Sequence, residues 1–403
     1  MFKKAKIALA SMVLLGSSSY ALEVDSLQIF GYGNINFSNY DYLENYQSDP
    51  ERRSKVDMER FVLITRYMFD ENITLIAEIE YEHGGTGSAM EYDRLEEFGE
   101  FETEIEKGGE IVIEELNVDI KYKPELNFRV GHMLVGMGML TARHLPFLHH
   151  SVYRNRSESR IIPSTWHETG VEAYGTFAEN FHYQAQLLTG LNSELFDSYG
   201  WIKNGMQKRF EHVNADDLAG VIRLSYGDLI GDQIGISYYQ GNSGGNRNKD
   251  NRDIEGTVQI VSVHGVFSYE NFTARGLYMW GTLSDSAEIT RANYNLPKTI
   301  RAKNHSVAKE AVAYFAEVGY NFGPAFGMDN ALTLWGRYDF SDTMYKVETG
   351  VIKKDRYEQT TISAGINYQI SENVMIKTEY EKTSFGIDVP DMESYTASLA
   401  FQF

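Results

Sequence analysis

The chain has 403 residues, a formal net charge of −20, 27 tyrosines, 22 phenylalanines, 35 glycines, seven prolines and no cysteine. The lack of cysteine excludes a disulfide framework, a thiolate metal site, a thiol nucleophile and a c-type haem attachment. No segment after the N-terminus has 18 consecutive apolar residues, so the sequence predicts no helical membrane span. This composition is typical of a chain with many strands that end in aromatic residues.

The first 21 residues have the pattern of a secretory signal peptide. Three lysines precede an apolar segment at residues 7–15, and residues 19–21 form a small-x-small cleavage site. The apolar segment is too short to anchor the chain in a bilayer. We therefore predict a signal peptide at 1–21 and a mature domain at 22–403, whose charge becomes −23 because three lysines and no acids are removed.

The C-terminal segment favours one membrane barrel over two or three soluble domains. Residues 394–403 place apolar side chains on one face and mostly small polar side chains on the other, which is the period of a strand. A last strand that ends in Phe403 resembles the terminal strand of bacterial outer-membrane proteins, a resemblance that implies an assembly signal.

Segments of about ten residues, which suffice to cross a membrane as tilted strands, are joined alternately by long polar loops and short turns. The predicted strands are 27–38, 56–69, 73–82, 110–122, 127–133, 166–177, 181–190, 218–226, 233–240, 256–269, 272–281, 310–322, 330–340, 356–368, 374–383 and 394–403. The sequence thus predicts an all-β, sixteen-stranded antiparallel transmembrane β-barrel with long extracellular loops and short periplasmic turns. A secreted sandwich or solenoid is the alternative, but such folds do not require this alternation.

A basic segment at residues 134–165 follows the fifth strand and is the third long loop. Its four arginines and its one acid, Glu158, give it a formal charge of +3 within an acidic chain. Because a sixteen-stranded barrel leaves an aqueous channel, selectivity depends on what narrows that channel. We expect this loop to fold into the bore and its guanidinium groups to bind phosphate or carboxylate oxygens. The predicted anion-binding constriction is Arg143, Arg154, Arg156 and Arg160, and the predicted basic track along the lumen is Arg129, Arg223 and Arg275.

Each arginine has a structural alternative, because arginine and glutamate commonly pair across barrel interiors to hold loops in place. Glu168 and Glu172 on the next strand are candidate partners. The adjacent His149 and His150 point apart in an extended segment and have no evident third ligand, so no metal site is predicted. No catalytic constellation can be assembled from the ten histidines, and neither an enzyme nor a cofactor is predicted.

The second long loop is strongly acidic, with nine acids between residues 84 and 110. It could contact a neighbouring subunit, bind divalent cations that bridge lipopolysaccharide, or form a solvated surface. A negative rim opposes the entry of anions unless it is screened or folded away.

Three segments resemble the phosphate- and polyphosphate-selective porin family. They are EIEYEHGGTGS at 78–88, EELNVDIKYKPELNFRVGHMLVGMG at 114–138 and RIIPSTWHETGVEAYG at 160–175. The resemblance covers about the second to the sixth strand and implies a sixteen-stranded trimeric porin with a basic constriction that takes up phosphate-type anions. Residues 135–138 lack the proline of the corresponding family segment, and arginines stand where phosphate-specific members carry lysines.

The sequence therefore predicts an outer-membrane porin of a Gram-negative cell, exported through the periplasm, that lets small hydrophilic solutes diffuse passively. Anions such as phosphate are the leading solutes. The predicted partners are outer-membrane lipid, lipopolysaccharide, small anions and two further copies of the chain in a homotrimer, with no nucleic acid. Two alternatives stay open: a structural or adhesive barrel that binds through residues 84–109, and a general or cation-leaning porin. The acids that would set the field of a cation-leaning porin are Glu78, Glu80, Glu82, Glu115 and Asp119.

Overall fold

The chain folds into a closed antiparallel barrel, described by a computed structural model for residues 26–42, 49–85, 109–207, 213–248 and 254–403. Each strand pairs with the next, and the first pairs with the sixteenth, which closes the sheet. The predicted signal peptide and most of the acidic second loop lie outside the described residues. Within these ranges, no helix is both long enough and apolar enough to cross a membrane.

Sixteen strands form the barrel, as the sequence predicts. They are β1 Leu27–Tyr42, β2 Glu51–Met68, β3 Ile73–Glu82, β4 Glu110–Lys123, β5 Leu126–Leu134, β6 His167–Phe177, β7 Phe181–Thr189, β8 Leu218–Gly227, β9 Gln233–Gly241, β10 Val258–Tyr269, β11 Phe272–Leu283, β12 Glu310–Asn321, β13 Leu332–Lys346, β14 Glu358–Ser371, β15 Val374–Phe385 and β16 Met392–Gln402. Two helices, α1 Arg156–Ile161 and α2 Ser286–Asn293, lie in the connections. Short 3₁₀ turns lie at Thr141–Arg143, Pro146–Leu148, Ser193–Leu195, Lys203–Gly205, Gly323–Phe326 and Asp355–Tyr357.

The first hairpin is longer than predicted. β1 continues to Tyr42 and β2 already begins at Glu51, and these two residues pair across the ladder. The added part of β2 is polar and exposed, the added part of β1 is half-buried, and the guanidinium of Arg53 lies 3.9 Å from the centre of the Tyr42 ring. Because this part of the hairpin carries polar residues on both faces, it lacks the apolar alternation by which a strand is recognised in a sequence.

The two faces of the sheet differ in polarity as expected of a barrel in a membrane. In β9 the outward Ile234 and Ile236 are 60% and 46% exposed, whereas the inward Gln233 and Ser237 are buried. Similar apolar side chains are exposed on most of the other strands. The exposed apolar belt is the surface that the sequence pattern assigns to lipid.

Two β-bulges interrupt the alternation on the inner wall. On β4, Glu115 pairs with Glu78 and Ile113 pairs with Ile79, so Glu114 is the extra residue. A bulge of this kind aims two successive side chains toward the same face. Strict alternation of side chains along β4 therefore fails at this point. On β2, Glu59 is skipped between Met58 and Arg60 in the same way.

An apolar core, here called the loop core, lies inside the barrel at the end where the long loops are. It packs the inner face of β5–β13 against the connections of that end. In it, the buried Trp201 donates a hydrogen bond from Nε1 to the carbonyl of Ala308 at 3.0 Å. Its members from the connections beyond β7 are Leu191, Phe196, Trp201, Ile202, Met206, Ile254, Ile289, Ala292, Val307, Ala308, Val351 and Tyr357. The inner faces of β1–β4 and β14–β16 lie outside the loop core and are mostly polar, apart from a second buried cluster in which Phe30, Tyr32, Val62 and Ile64 pack against Leu145.

Candidate functional site

The third long loop, residues 135–166 and called loop 3 below, starts along the inner wall. The amide of Gly136 donates to Oε1 of Gln186 on β7 at 2.8 Å, and Arg223 on β8 donates to the carbonyl of Gly138 at 2.6 Å. Gly138 has a φ of +66°, and a Cβ there would lie 2.0 Å from Oε1 of Glu158. Glycine at position 138 thus permits the close approach of this segment to the Glu158 carboxylate.

Glu158 braces loop 3 from within. Its Oε1 accepts hydrogen bonds from the amides of Met139 and Leu140 at 2.8 and 3.0 Å, and the Asn155 amide donates to its Oε2 at 3.3 Å. Asn155 also caps α1, since its Oδ1 accepts from the Glu158 amide at 2.8 Å. The carboxyl is fully buried, and this burial raises the pKa of Glu158 to about 7.

Loop 3 then crosses the bore to the opposite wall. Ser157 donates from its amide and hydroxyl to Asp339 on β13 at 3.1 and 2.8 Å. The amide of Val152 donates to Glu379 on β15 at 2.7 Å. The ammonium of Lys377 on β15 donates to three carbonyls of the loop, those of Pro146, His149 and Ser151. The loop is therefore fixed at both walls of the barrel.

The four predicted constriction arginines lie at different places along this path. Arg143 donates to the carbonyls of Ile230 and Gly231 in the short turn after β8. Burial, followed by the charges of Arg275 and Arg223, lowers the pKa of Arg143 to about 10. Arg143 therefore lies close to Arg275 and Arg223, two members of the predicted basic track.

The other three arginines lie nearer the long-loop end. Arg154 faces Arg60, and its Nε and Nη2 have no hydrogen-bond partner in the described part of the chain. Arg156 forms a two-nitrogen contact with Glu381, the shorter distance being 2.6 Å. Arg160 stacks over the ring of Tyr199 at 4.4 Å. Of the predicted four, Arg154 is the one that faces the acidic inner wall of β2–β4.

The predicted track residues are held by neighbours on the wall. Arg129 pairs with Glu172 at 3.1 Å, Arg275 pairs with Glu317 at 3.3 Å, and Arg223 contacts His264 at 2.8 Å. Arg129 and Arg275 are therefore paired with glutamates of the barrel interior, as the structural alternative expects. Neither candidate partner, Glu168 or Glu172, pairs with an arginine of loop 3; Glu168 instead accepts a hydrogen bond from the Thr189 hydroxyl at 2.8 Å.

Two cavities lie on either side of Arg154. One of about 380 Å³ at the long-loop end is lined by β1, β15, β16 and loop 3. Another of about 150 Å³ at the short-turn end lies between loop 3 and the inner wall of β2–β9. On β2, Lys55 lines the first cavity and Ile64 the second, and the buried Arg60 lies between them. Arg60, which lies close to Arg154, is thus placed along β2 between the two cavities.

No protein-family model matches the chain. A relative from Aquifex aeolicus (strain VF5), described as an uncharacterized protein, is 26% identical over 379 residues, which cover 94% of this chain and 80% of the relative. The outer membrane channel DcaP of Acinetobacter baumannii superposes with a TM-score of 0.55 at 12% identity, over 94% of this chain and 99% of that one. This chain has the fold of outer-membrane porins.

Two further solved structures share the porin fold. An anion-selective porin from Comamonas acidovorans superposes with a TM-score of 0.52 at 9% identity, over 94% of this chain and 99% of the other. The trimer form of OmpT, an outer membrane protein of Vibrio cholerae, gives a TM-score of 0.52 at 12% identity, over 94% and 100% of the two chains.

Within this porin fold, an acidic wall faces Arg154. Glu78 and Glu80 of β3 and Glu114 and Glu115 of β4 form this wall, and Arg60 pairs with Glu80 at 3.1 Å. The sequence analysis did not single out Glu114. The signal was present, because the apolar phase of β4 changes from residues 111 and 113 to residues 116, 118 and 120. Such a phase change marks a bulge.

Proposed function

We propose that the chain is an outer-membrane porin through which small hydrophilic solutes diffuse passively. The observation that carries this proposal is a closed barrel with an inward-folded loop that is bound to both walls, and the proposal places the narrow point of the route at Arg60 and Arg154. A route narrowed by charged side chains sorts solutes by size and charge. The exposed apolar belt supports a location in lipid, and export through the periplasm follows from the predicted signal peptide.

Anions such as phosphate are the leading solutes in this proposal. Arg143, Arg223 and Lys377 donate to carbonyl oxygens, and none of them has a carboxylate within 4 Å in the described ranges. Where no counter-ion is close, burial also acts unequally on the two signs of charge, because it raises the pKa of a carboxyl toward neutral pH but leaves a guanidinium group charged. Glu158, with its pKa of about 7, illustrates the first effect, and Arg143, with its pKa of about 10, the second.

A cation-leaning porin is the second candidate, and the acidic wall favours it. The two bulges add Glu59 and Glu114 to the acids on the inner face of β2–β4. If these groups stay ionised, they attract cations at the point where the route is narrowest.

A homotrimer is part of the proposal. One structure that shares the porin fold is a trimer form. The belt of exposed apolar side chains offers more than one strand face for contact with lipid or with a further copy of the chain.

The test is the reversal potential of single channels in planar bilayers across a KCl gradient, followed by a gradient of potassium phosphate. We expect a preference for anions that Arg154→Gln reduces. Arg291→Gln is the matched control, because its side chain is 72% exposed on α2 and loses the same charge. A preference for cations in the unmodified protein refutes the anion hypothesis in favour of the second candidate. The absence of open-channel current refutes the porin function itself.

A further inference from the structure

We infer that the acidic wall binds a transition-metal dication through Glu78, Glu114 and His144. One oxygen or nitrogen ligand atom from each of these three residues lies within 4.8 Å of the other two. All three side chains are buried inside the barrel, where an unbalanced set of lone pairs is costly. The three residues come from β3, from the bulge of β4 and from loop 3, so the site forms only when loop 3 is docked.

The hydrogen bond at Nδ1 of His144 determines that Nε2 is the ring atom that offers its lone pair to the site. Nδ1 lies 2.9 Å from the carbonyl of Thr141, and a carbonyl only accepts, so Nδ1 carries a proton. In the neutral ring, Nε2 then presents a lone pair, and it lies 3.7 Å from Oε1 of Glu78. Metal-ligating histidines commonly donate their second ring N–H to a carbonyl in this way.

The unpaired atoms of the cluster point to the same place. His144 Nε2 and Glu114 Oε2 are buried and have no hydrogen-bond partner in the described residues. His144 is 5% exposed and Glu114 is 1% exposed. A cation bound between these two buried acceptors satisfies both of them at once.

The donor set indicates the class of cation. One imidazole nitrogen and two carboxylate oxygens suit Zn²⁺ and similar dications, whereas Mg²⁺ and Ca²⁺ prefer oxygen ligands alone. Ligands of a tetrahedral zinc are about 3.4 Å apart, so the side chains must close by about an ångström. The bulge at Glu114 and the position of His144 in a loop provide that freedom. The remaining coordination position faces the cavity at the short-turn end, whose lining includes both Glu78 and His144.

Metal binding has a consequence for the channel, and this consequence rests on the proposed function. A bound dication neutralises two carboxylates of the acidic wall next to Arg154. The narrow point then becomes more favourable to anions, so the metal acts as a switch between the two selectivities proposed above.

The experiment measures zinc directly, without any reference to conductance. Metal-depleted full-length protein in detergent is dialysed against Zn²⁺, and bound metal is counted by atomic absorption. We expect one equivalent per chain, and at least about tenfold weaker binding in Glu114→Gln and in His144→Gln. The control is His83→Gln, an exposed histidine that pairs with Asp57 at 2.8 Å and should retain the tight equivalent when replaced.

Glu114→Gln is chosen because glutamine has nearly the shape of glutamate, so the fold should be retained. Far-UV circular dichroism checks that each variant keeps its barrel. Equal zinc binding by the parent protein and by both site variants overturns the metal site. If zinc binds but the reversal potential does not move toward anions, the site stands and the switch is refuted. The zinc count does not depend on whether the protein conducts, whereas the reversal potential can be read only from a protein that does.

Discussion

Glu158 gives the sharpest test of how loop 3 is held in the bore. Replacement by alanine leaves the buried amides of Met139 and Leu140 without their acceptor. Each unsatisfied amide costs about 1–3 kcal/mol, so the docked loop should lose about 2–6 kcal/mol relative to the released loop. Glu158→Gln is the matched control, because its carbonyl oxygen can still accept both hydrogen bonds.

The docking of loop 3 should also depend on pH through this carboxyl. Because burial raises the pKa of Glu158 from 4.5 to about 7, the docked loop favours the protonated acid. That stabilisation is complete below pH 4.5 and is lost as the pH rises through 7, to a total of about 3 kcal/mol. Glu158→Gln has no such group and should show no loss over this range.

Limited trypsinolysis of the folded protein reads out both effects, since the arginines of loop 3 are cleavage sites. Cleavage tracks the released population when docking is fast, and a loss of 2 kcal/mol corresponds to an increase of about 30-fold. If Glu158→Ala is cleaved at the parent rate, Glu158 does not hold loop 3 in place. The same conclusion follows if release of the loop in the parent protein does not change between pH 5 and 8. The protease's own pH dependence is removed by normalising to an unfolded substrate.

Two further substitutions probe the same loop. Lys377→Met removes the donor to three loop 3 carbonyls and should increase open-channel noise in bilayers, whereas Lys382→Met, on the same strand with its side chain 44% exposed, should not. Gly138→Ala should accelerate trypsin cleavage about as strongly as Glu158→Ala, because its Cβ would occupy the position of the Glu158 carboxylate at a residue with a positive φ. The control is Gly136→Ala, whose Cβ would lie 3.3 Å from the movable Gln184 side chain and which should cause a much smaller change. Equal effects within either pair contradict the contacts described.

The strand count and the position of loop 3 could be predicted because they depend on local signals. Alternation along β3 identifies Glu78 and Glu80 as inward residues, and turn residues between strands fix the order of long and short connections. The polar extension of the first hairpin could not be found this way, since a strand that is polar on both faces has no amphipathic period.

The constriction was less predictable because its geometry depends on contacts between distant residues. The arginines of loop 3 are close in sequence, but Arg143 contacts the turn after β8 and Arg156 contacts β15. The charge of the loop therefore does not determine the charge at the narrow point. Glu114, the acid that the bulge adds to the inner wall, contributes to that charge as well as Arg154. A bulge appears in a sequence only as a change in the phase of the apolar residues.

The molecule has two hydrophobic regions, the outer belt and the loop core, and each is stabilised by a different environment. The outer belt is stable in lipid, where contact with hydrocarbon chains replaces contact with water. The loop core is stable only because water is excluded from it, as in the interior of a soluble protein. Its melting should therefore carry a large positive heat-capacity change, whereas the outer belt, covered by detergent or lipid in both states, contributes little. A calorimetric scan should thus resolve a soluble-like transition of the loops inside a barrel that stays intact.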